Sequence, residues 1–81
     1  MKKALKFQAS WCGPCKMLSK TFSLIKPEID VEEVDIDANP ELTSQYGIRG
    51  VPTVIMLEDG IEIKRFVGVK GKEELQHWIN S

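Results

Sequence analysis

The stretch Ala9-Ser10-Trp11-Cys12-Gly13-Pro14-Cys15-Lys16-Met17 marks the point at which a strand gives way to a helix. Before it, Lys3 to Gln8 is predicted to be a short strand, with Leu5 and Phe7 on one face and Lys6 and Gln8 on the other. Pro14 suits the first turn of a helix, where its missing N–H is no loss. Further along, apolar side chains recur at helical spacing, in the order Cys15, Leu18, Phe22 and Ile25. The stretch therefore predicts a strand followed directly by a helix.

The rest of the chain continues this alternation of strands and helices. Asn39-Pro40 signals the start of a short helix, Asp59-Gly60 signals a tight turn between antiparallel strands, and Gly71 precedes a last helix. The predicted strands are Lys3–Gln8, Val31–Ile36, Thr53–Leu57 and Ile61–Val67. A right-handed crossover makes the second strand parallel to the first. We therefore expect one α/β domain, residues 1–81, with a four-stranded mixed sheet (β-α-β-α-β-β-α) and helices on both faces.

Composition and charge exclude several classes of function. The 81 residues carry a net charge of -1, which leaves no basic surface for nucleic acid or an anionic membrane. The longest apolar run, Val54–Leu57, is far too short to span a bilayer. The charged start Met1–Lys3 imitates a signal peptide, but Lys6, Gln8 and Ser10 interrupt the apolar run that should follow. We expect a cytoplasmic protein in a reducing environment.

The only two cysteines, Cys12 and Cys15, are three residues apart. A disulfide between them would close too short a loop to restrain the unfolded chain, which favours a chemical role over a structural one. Cys12 precedes the helix, where unpaired backbone N–H groups and the helix dipole favour a thiolate. We expect its sulfur to lie at an exposed helix tip and to attack disulfides. Cys15, one turn deeper, is expected to resolve the mixed disulfide.

Two other interpretations of the cysteine pair remain open. The pair could form half of a zinc site, although His77 is the only histidine and one chain cannot supply four Cys or His ligands. The pair could also pack as inert core, although Trp11, Gly13 and Pro14 make a poor core sequence. We expect no metal, and we expect His77 to be a surface position on the last helix.

Two segments resemble the signatures of the thioredoxin family. They are Ala9–Met17 and Tyr46–Thr53, and the Asp59-Gly60 hairpin and Val67-Gly68 also match. The leading strand and helix of full-length thioredoxins are absent, so in length the chain is similar to short (mini) thioredoxins or glutaredoxins. Gly13-Pro14 between the cysteines resembles thioredoxins, whereas glutaredoxins usually carry Pro-Tyr there, and their Gly-Gly-Asp glutathione motif is missing.

The resemblance implies a thioredoxin-like fold and a protein-disulfide reductase that needs no cofactor beyond its own disulfide. Electrons would come from an external flavin-containing thioredoxin reductase. The substrates would be disulfide-containing proteins, and the chain would act as a monomer. The alternatives are a glutaredoxin-like reductase, a non-redox subunit that binds a partner with the same surface, and an oxidant or isomerase. The Gly-Pro pair weighs against the last of these.

The resemblance also implies which residues surround Cys12. Pro52 would be a cis proline that faces the cysteines and leaves the backbone of Val51 free to pair with an extended substrate. A trans proline that starts a strand is the alternative. The substrate would meet a flat apolar surface made of Trp11, Gly13, Pro14, Gly50, Val51 and Gly68. For Trp11, a place in the core is the alternative.

Two charged residues depart from the family pattern together. Thioredoxins usually have a buried aspartate at the position of Lys6 and a lysine at the position of Glu33, so both charges are reversed here. Strand alternation places the two side chains on one face, and we hypothesise an ion pair beneath the active site. Glu33 would assist deprotonation of Cys15, and Lys6 would stabilise nearby thiolates. The alternative is two solvated side chains.

Overall fold

Seven secondary-structure elements follow one another in the predicted order. The computed structural model describes all residues from Met1 to Ser81. The strands are β1 (Lys2–Gln8), β2 (Asp30–Asp35), β3 (Thr53–Glu58) and β4 (Ile61–Val67), and the helices are α1 (Gly13–Ile25), α2 (Pro40–Gln45) and α3 (Lys72–Asn80). None of the helices has the length and apolar character needed to cross a membrane.

The four strands form one mixed sheet with the spatial order β2-β1-β3-β4. β1 and β2 are parallel neighbours, so the chain crosses over between them through α1. The β1–β3 and β3–β4 pairs are antiparallel. The turn between β3 and β4 has positive φ angles of 51° at Asp59 and 85° at Gly60, as a two-residue hairpin requires. The predicted fold class is therefore confirmed.

Both faces of the sheet are covered, because alternate residues of the central strands β1 and β3 point to opposite sides. One face packs against α1 and α3, and its buried cluster consists of Ala4, Leu18, Phe22, Val54, Met56, Leu75 and Ile79. The other face has a buried cluster of Leu5, Phe7, Val34, Ile55 and Leu57, on which Leu42 of α2 packs. Burial on both sides explains why β3 is apolar without alternation.

The connection from β1 to α1 brings the cysteine segment to the carboxyl-terminal end of β1. Ile36 donates its N–H to the carbonyl of Gln8 at 2.9 Å, so the pairing of β1 with the β2 segment continues to the last residue of β1. The N–H of Cys12 then donates to the carbonyl of Ala9 at 3.2 Å, which closes a turn just before α1. The start of α1 is thereby held against the end of the sheet.

Candidate active site

Cys12 and Cys15 form a disulfide at the start of α1, with Cα atoms 5.3 Å apart. Cys12 is the residue that caps the helix: its backbone is extended (φ -92°, ψ 108°), and its side chain faces the first turn. The Cys12 sulfur accepts a hydrogen bond from the N–H of Cys15 at 3.1 Å. A helix start carries backbone N–H groups without intrahelical partners and the positive end of the helix dipole. In the reduced protein this environment favours a thiolate on Cys12.

The expectation of an exposed sulfur at the helix tip is wrong for Cys12. Only 4% of Cys12 and 3% of Cys15 is exposed. The two residues form a small apolar cluster with Ala9, against which Ile36 and Val51 pack. The cysteines are therefore covered by residues from the end of β2 and from the loop before β3. Local sequence patterns do not predict this burial, because the covering residues are distant from the cysteines along the chain.

The peptide bond between Val51 and Pro52 is cis, as predicted. The carbonyl oxygen of Val51 is 3.7 Å from the Cys12 sulfur. No group of the chain accepts a hydrogen bond from the Val51 N–H. The Pro52 carbonyl accepts a hydrogen bond from Gly68 at 2.9 Å, and the Thr53 hydroxyl donates to the Gly50 carbonyl at 2.6 Å. Hydrogen bonds thus join the predicted residues of this loop to the β4 end, and Val51 is the loop residue that packs against Cys12.

Trp11 is exposed, so its placement in the core is excluded: 67% of the residue is accessible. Its indole Nε1 donates a hydrogen bond to a carboxylate oxygen of Asp37 at 3.0 Å. Gly13 and Pro14 are exposed in the first turn of α1. Asp37, which was not among the predicted residues, is thereby brought next to Trp11. Its position just after β2 is a signal, because the carboxyl ends of the parallel strands β1 and β2 lie at the same edge of the sheet.

Lys6 and Glu33 form the hypothesised ion pair. β1 and β2 pair Lys6 with Glu33 in register, and the Lys6 Nζ atom is 2.9 Å from the Glu33 carboxylate. The Lys6 side chain is only 4% exposed, whereas that of Glu33 is 57% exposed, so the alternative of two solvated side chains is wrong for Lys6. Lys6 also donates a hydrogen bond to the Ser19 hydroxyl at 2.6 Å. Ser19 was not predicted, although its place four residues after Cys15 on α1 was a usable signal.

His77 lies on the exposed side of α3. No three His, Cys, Asp or Glu side chains converge in a way that could hold a metal ion.

A cysteine pair at the start of a helix, a cis proline in the loop whose Val51 packs against it, and a mixed four-stranded sheet are together typical of redox proteins that exchange disulfides. The family model described as Thioredoxin matches residues 2–81. The chain belongs to the thioredoxin family, and it is a thiol–disulfide oxidoreductase.

Individual relatives agree with this assignment. The chain is 42% identical over 77 residues to a thioredoxin of Chlamydia caviae, and the aligned region covers 91% of this chain and 76% of the relative. It is 37% identical over 78 residues to a thioredoxin of Bacillus subtilis, with coverages of 91% and 75%. A solved structure of a mutant thioredoxin from Halobacterium salinarum superposes with a TM-score of 0.90 at 34% identity, covering 98% of this chain and 72% of the other.

Proposed function

We propose that this protein reduces disulfide bonds in other proteins, with Cys12 as the attacking thiol and Cys15 as the resolving thiol. The observation that carries this assignment is the hydrogen bond from the Cys15 N–H to the Cys12 sulfur at the start of α1. This amide and the helix dipole stabilise negative charge on Cys12. Cys15 lies inside the first turn of the helix rather than at its cap, lacks that advantage and reacts second.

The exchange proceeds in two steps that conserve sulfur bonds and electrons. The Cys12 thiolate attacks one sulfur of the substrate disulfide. A bond forms between Cys12 and that sulfur, the substrate S–S bond breaks, and the other substrate sulfur leaves as a thiolate that takes up a proton. The Cys15 thiolate then attacks Cys12, which forms the Cys12–Cys15 disulfide and releases the second substrate thiol. The protein is oxidised by two electrons, and the substrate gains them.

The loop before β3 is proposed to hold the substrate. The unpaired N–H of Val51 and its carbonyl, 3.7 Å from the Cys12 sulfur, can bond an extended segment as a short added strand. Pro52 is buried and supports this loop, while the exposed Trp11 and Gly50 and the partly exposed Gly68 complete the contact surface. Backbone contacts of this kind do not depend on the substrate's sequence, so many exposed disulfides fit the surface.

Lys6 and Glu33 are proposed to act on the cysteines from beneath as positioning residues. The contact of 2.9 Å between them and the burial of Lys6 support this role. The disulfide is the only redox group that the proposal requires, so a flavin-containing thioredoxin reductase would return the electrons. We place the reaction in the cytoplasm, where reducing conditions keep the dithiol available. The protein would act as a monomer.

Reduction of insulin disulfides tests the proposal, run once with a thioredoxin reductase and once with glutathione as the source of electrons. We expect turnover with the reductase and none in either Cys12→Ser or Cys15→Ser. Cys15→Ser should trap a mixed disulfide with insulin, because Cys12 can attack but nothing resolves the product. Trapping by Cys12→Ser instead would reverse the two roles. Turnover with glutathione alone would indicate a glutaredoxin-like reductase, and no turnover with either would indicate a binding subunit.

A further inference from the structure

Ser19 connects a buried positive charge to the helix turn that carries Cys15. Its hydroxyl oxygen accepts a hydrogen bond from the Lys6 ammonium at 2.6 Å, and the same ammonium lies 2.9 Å from the Glu33 carboxylate. Ser19 follows Cys15 by four residues in α1, so the two side chains lie on the same face of the helix, one turn apart. Direct contacts therefore link Glu33, Lys6 and Ser19, and Cys15 lies one helical turn before Ser19.

Two surface clefts meet at Ser19. One has a volume of about 360 Å³ and is lined by residues 8–10 together with Cys15, Lys16, Ser19 and Asp35. The other, about 320 Å³, is lined in part by Lys6, Ser19 and Glu33. Ser19 is the residue that the two clefts share. Cys15 is almost fully buried but borders the first cleft, so a water in that cleft can bridge the Ser19 hydroxyl and the Cys15 sulfur.

The hydroxyl hydrogen of Ser19 is available for such a bridge. Thr21 and Ser23, on the same helix, donate their hydroxyl hydrogens to the carbonyls of Met17 and Ser19, four residues earlier. The Ser19 hydroxyl makes no bond of this kind, and its oxygen is engaged by Lys6. A hydroxyl that accepts a hydrogen bond from a cation becomes a stronger hydrogen-bond donor. The contact with Lys6 therefore strengthens the Ser19 hydroxyl as a donor to a water in the first cleft.

We propose that Ser19 is a positioning residue that transmits the positive charge of Lys6 to Cys15 and stabilises the Cys15 thiolate in the resolving step. This inference rests on the proposed function, because it concerns the second of the two thiols. Cys15 loses its proton to water in the cleft. The electron pair on its sulfur then forms the bond to Cys12, and the pair of the broken Cys12–substrate bond leaves on the substrate sulfur, which takes up a proton.

Other charges also bear on Cys15. Lys16 borders the same cleft and favours the thiolate, whereas Asp35, which also lines the cleft, disfavours it. Glu33 offsets part of the charge of Lys6. The specific contribution of Ser19 is therefore measured by removing its hydroxyl alone while all of these charges stay in place.

The test is a pH titration of Cys15 in a Cys12→Ala background, where the ultraviolet absorbance of the thiolate reports on this one cysteine. Ser19→Ala should raise the Cys15 pKa by about one unit, which is an approximately tenfold smaller thiolate population at a given pH. Lys6→Met should raise the Cys15 pKa in the same direction. The double variant with Ser19→Ala and Lys6→Met should raise the Cys15 pKa little more than either single variant, because both substitutions break the same link between Lys6 and Cys15. Ser19→Thr keeps a hydroxyl and should restore the parent titration.

Ser23→Ala is the matched control, since it deletes a serine hydroxyl one turn further along α1 that is bonded to a backbone carbonyl, and it should leave the titration unchanged. The proposal is overturned if Ser19→Ala leaves the Cys15 titration unchanged, if Ser23→Ala shifts it equally, or if Ser19→Thr behaves like Ser19→Ala. Should Ser19→Ala not fold, an unchanged titration in Lys6→Met overturns it equally. Insulin reduction by the parent protein reports separately on the proposed function, so failure of either idea is recognised independently of the other.

Discussion

Replacing Lys6 tests what a buried ammonium contributes to the stability of this fold. The Lys6 side chain is 4% exposed and lies against Ser19, Glu33 and the ring of Phe22, whose centre is 5.3 Å from the nitrogen. Lys6→Met keeps most of the apolar stem and removes the charge. Lys6→Ala removes both, and Glu33→Gln removes only the charge of the partner.

The structure sets an order for the losses in unfolding free energy. Lys6→Ala deletes three buried methylenes at about 0.8 kcal/mol each, so it should cost about 2 to 2.5 kcal/mol, and more if the space stays empty. Glu33 is 57% exposed, so water already screens it, and Glu33→Gln should cost about 1 kcal/mol or less. Lys6→Met refills the space and removes the cost of burying a charge. The unfolding free energy of this variant should therefore be within about 1 kcal/mol of that of the parent protein, or higher.

Urea unfolding of the oxidised protein, followed by circular dichroism, measures these differences. If thermal unfolding is used instead, each 1 kcal/mol of unfolding free energy corresponds to a shift of about 4–8 °C in Tm for a domain of this size. Lys20→Met is the control, because it replaces an exposed lysine of α1 and should change little. A loss in Lys6→Met as large as that in Lys6→Ala would refute the reasoning, since the charge and its contacts, rather than the buried stem, would then carry the stability.

Three further predictions concern single contacts. Gly68→Ala should lower the unfolding free energy by about 1–2 kcal/mol, because the φ of 97° at Gly68 disfavours residues with a side chain. Steric contact is not the cause, since nothing lies within 4 Å of a Cβ added at Gly68. Thermal unfolding measures the loss, and Gly13→Ala, at a site that is equally open but has no positive φ, is the control. Asp37→Ala removes the acceptor of the exposed indole and should reduce kcat/KM for insulin by up to about fivefold, equivalent to about 1 kcal/mol. The hydrogen bond from Arg65 lowers the pKa of Glu62 below its usual 4.5, so this carboxylate stabilises the fold above that pH and loses the effect as the pH falls through its folded pKa. Glu62→Gln should therefore destabilise the protein at about pH 7 but not at about pH 2 in urea unfolding, and equal losses at both would contradict this.

Elements of the fold were predictable wherever the signal was local. The helical spacing from Cys15 to Ile25 places α1 correctly, because an amphipathic helix shows its buried face as a period of about 3.6 residues. Asp59-Gly60 places the β3–β4 hairpin, since few residue pairs accept two positive φ angles in succession. Strand ends differ by a residue or so from the predicted ones, because pairing with a neighbour decides where a strand stops.

The candidate site was only partly predictable. The cysteine spacing and the helix start indicate the chemistry of Cys12, while the cis bond at Pro52 followed from the resemblance to the family. Ser19 and Asp37 were missed, because a serine inside a helix and an aspartate after a strand are common in proteins and acquire a role here only through their partners.

The order of the elements and the capping of a helix by Cys12 follow from the local sequence, because both depend on side chains and backbone within a few residues of one another. The meeting of distant groups depends instead on the folded chain, which brings Val51 to the Cys12 sulfur and Lys6 between Glu33 and Ser19. Folding also buried Cys12, which the local pattern left exposed. These contacts depend on strand register and on packing across tens of residues, and they form only when the hydrophobic faces of the sheet and helices close on one another.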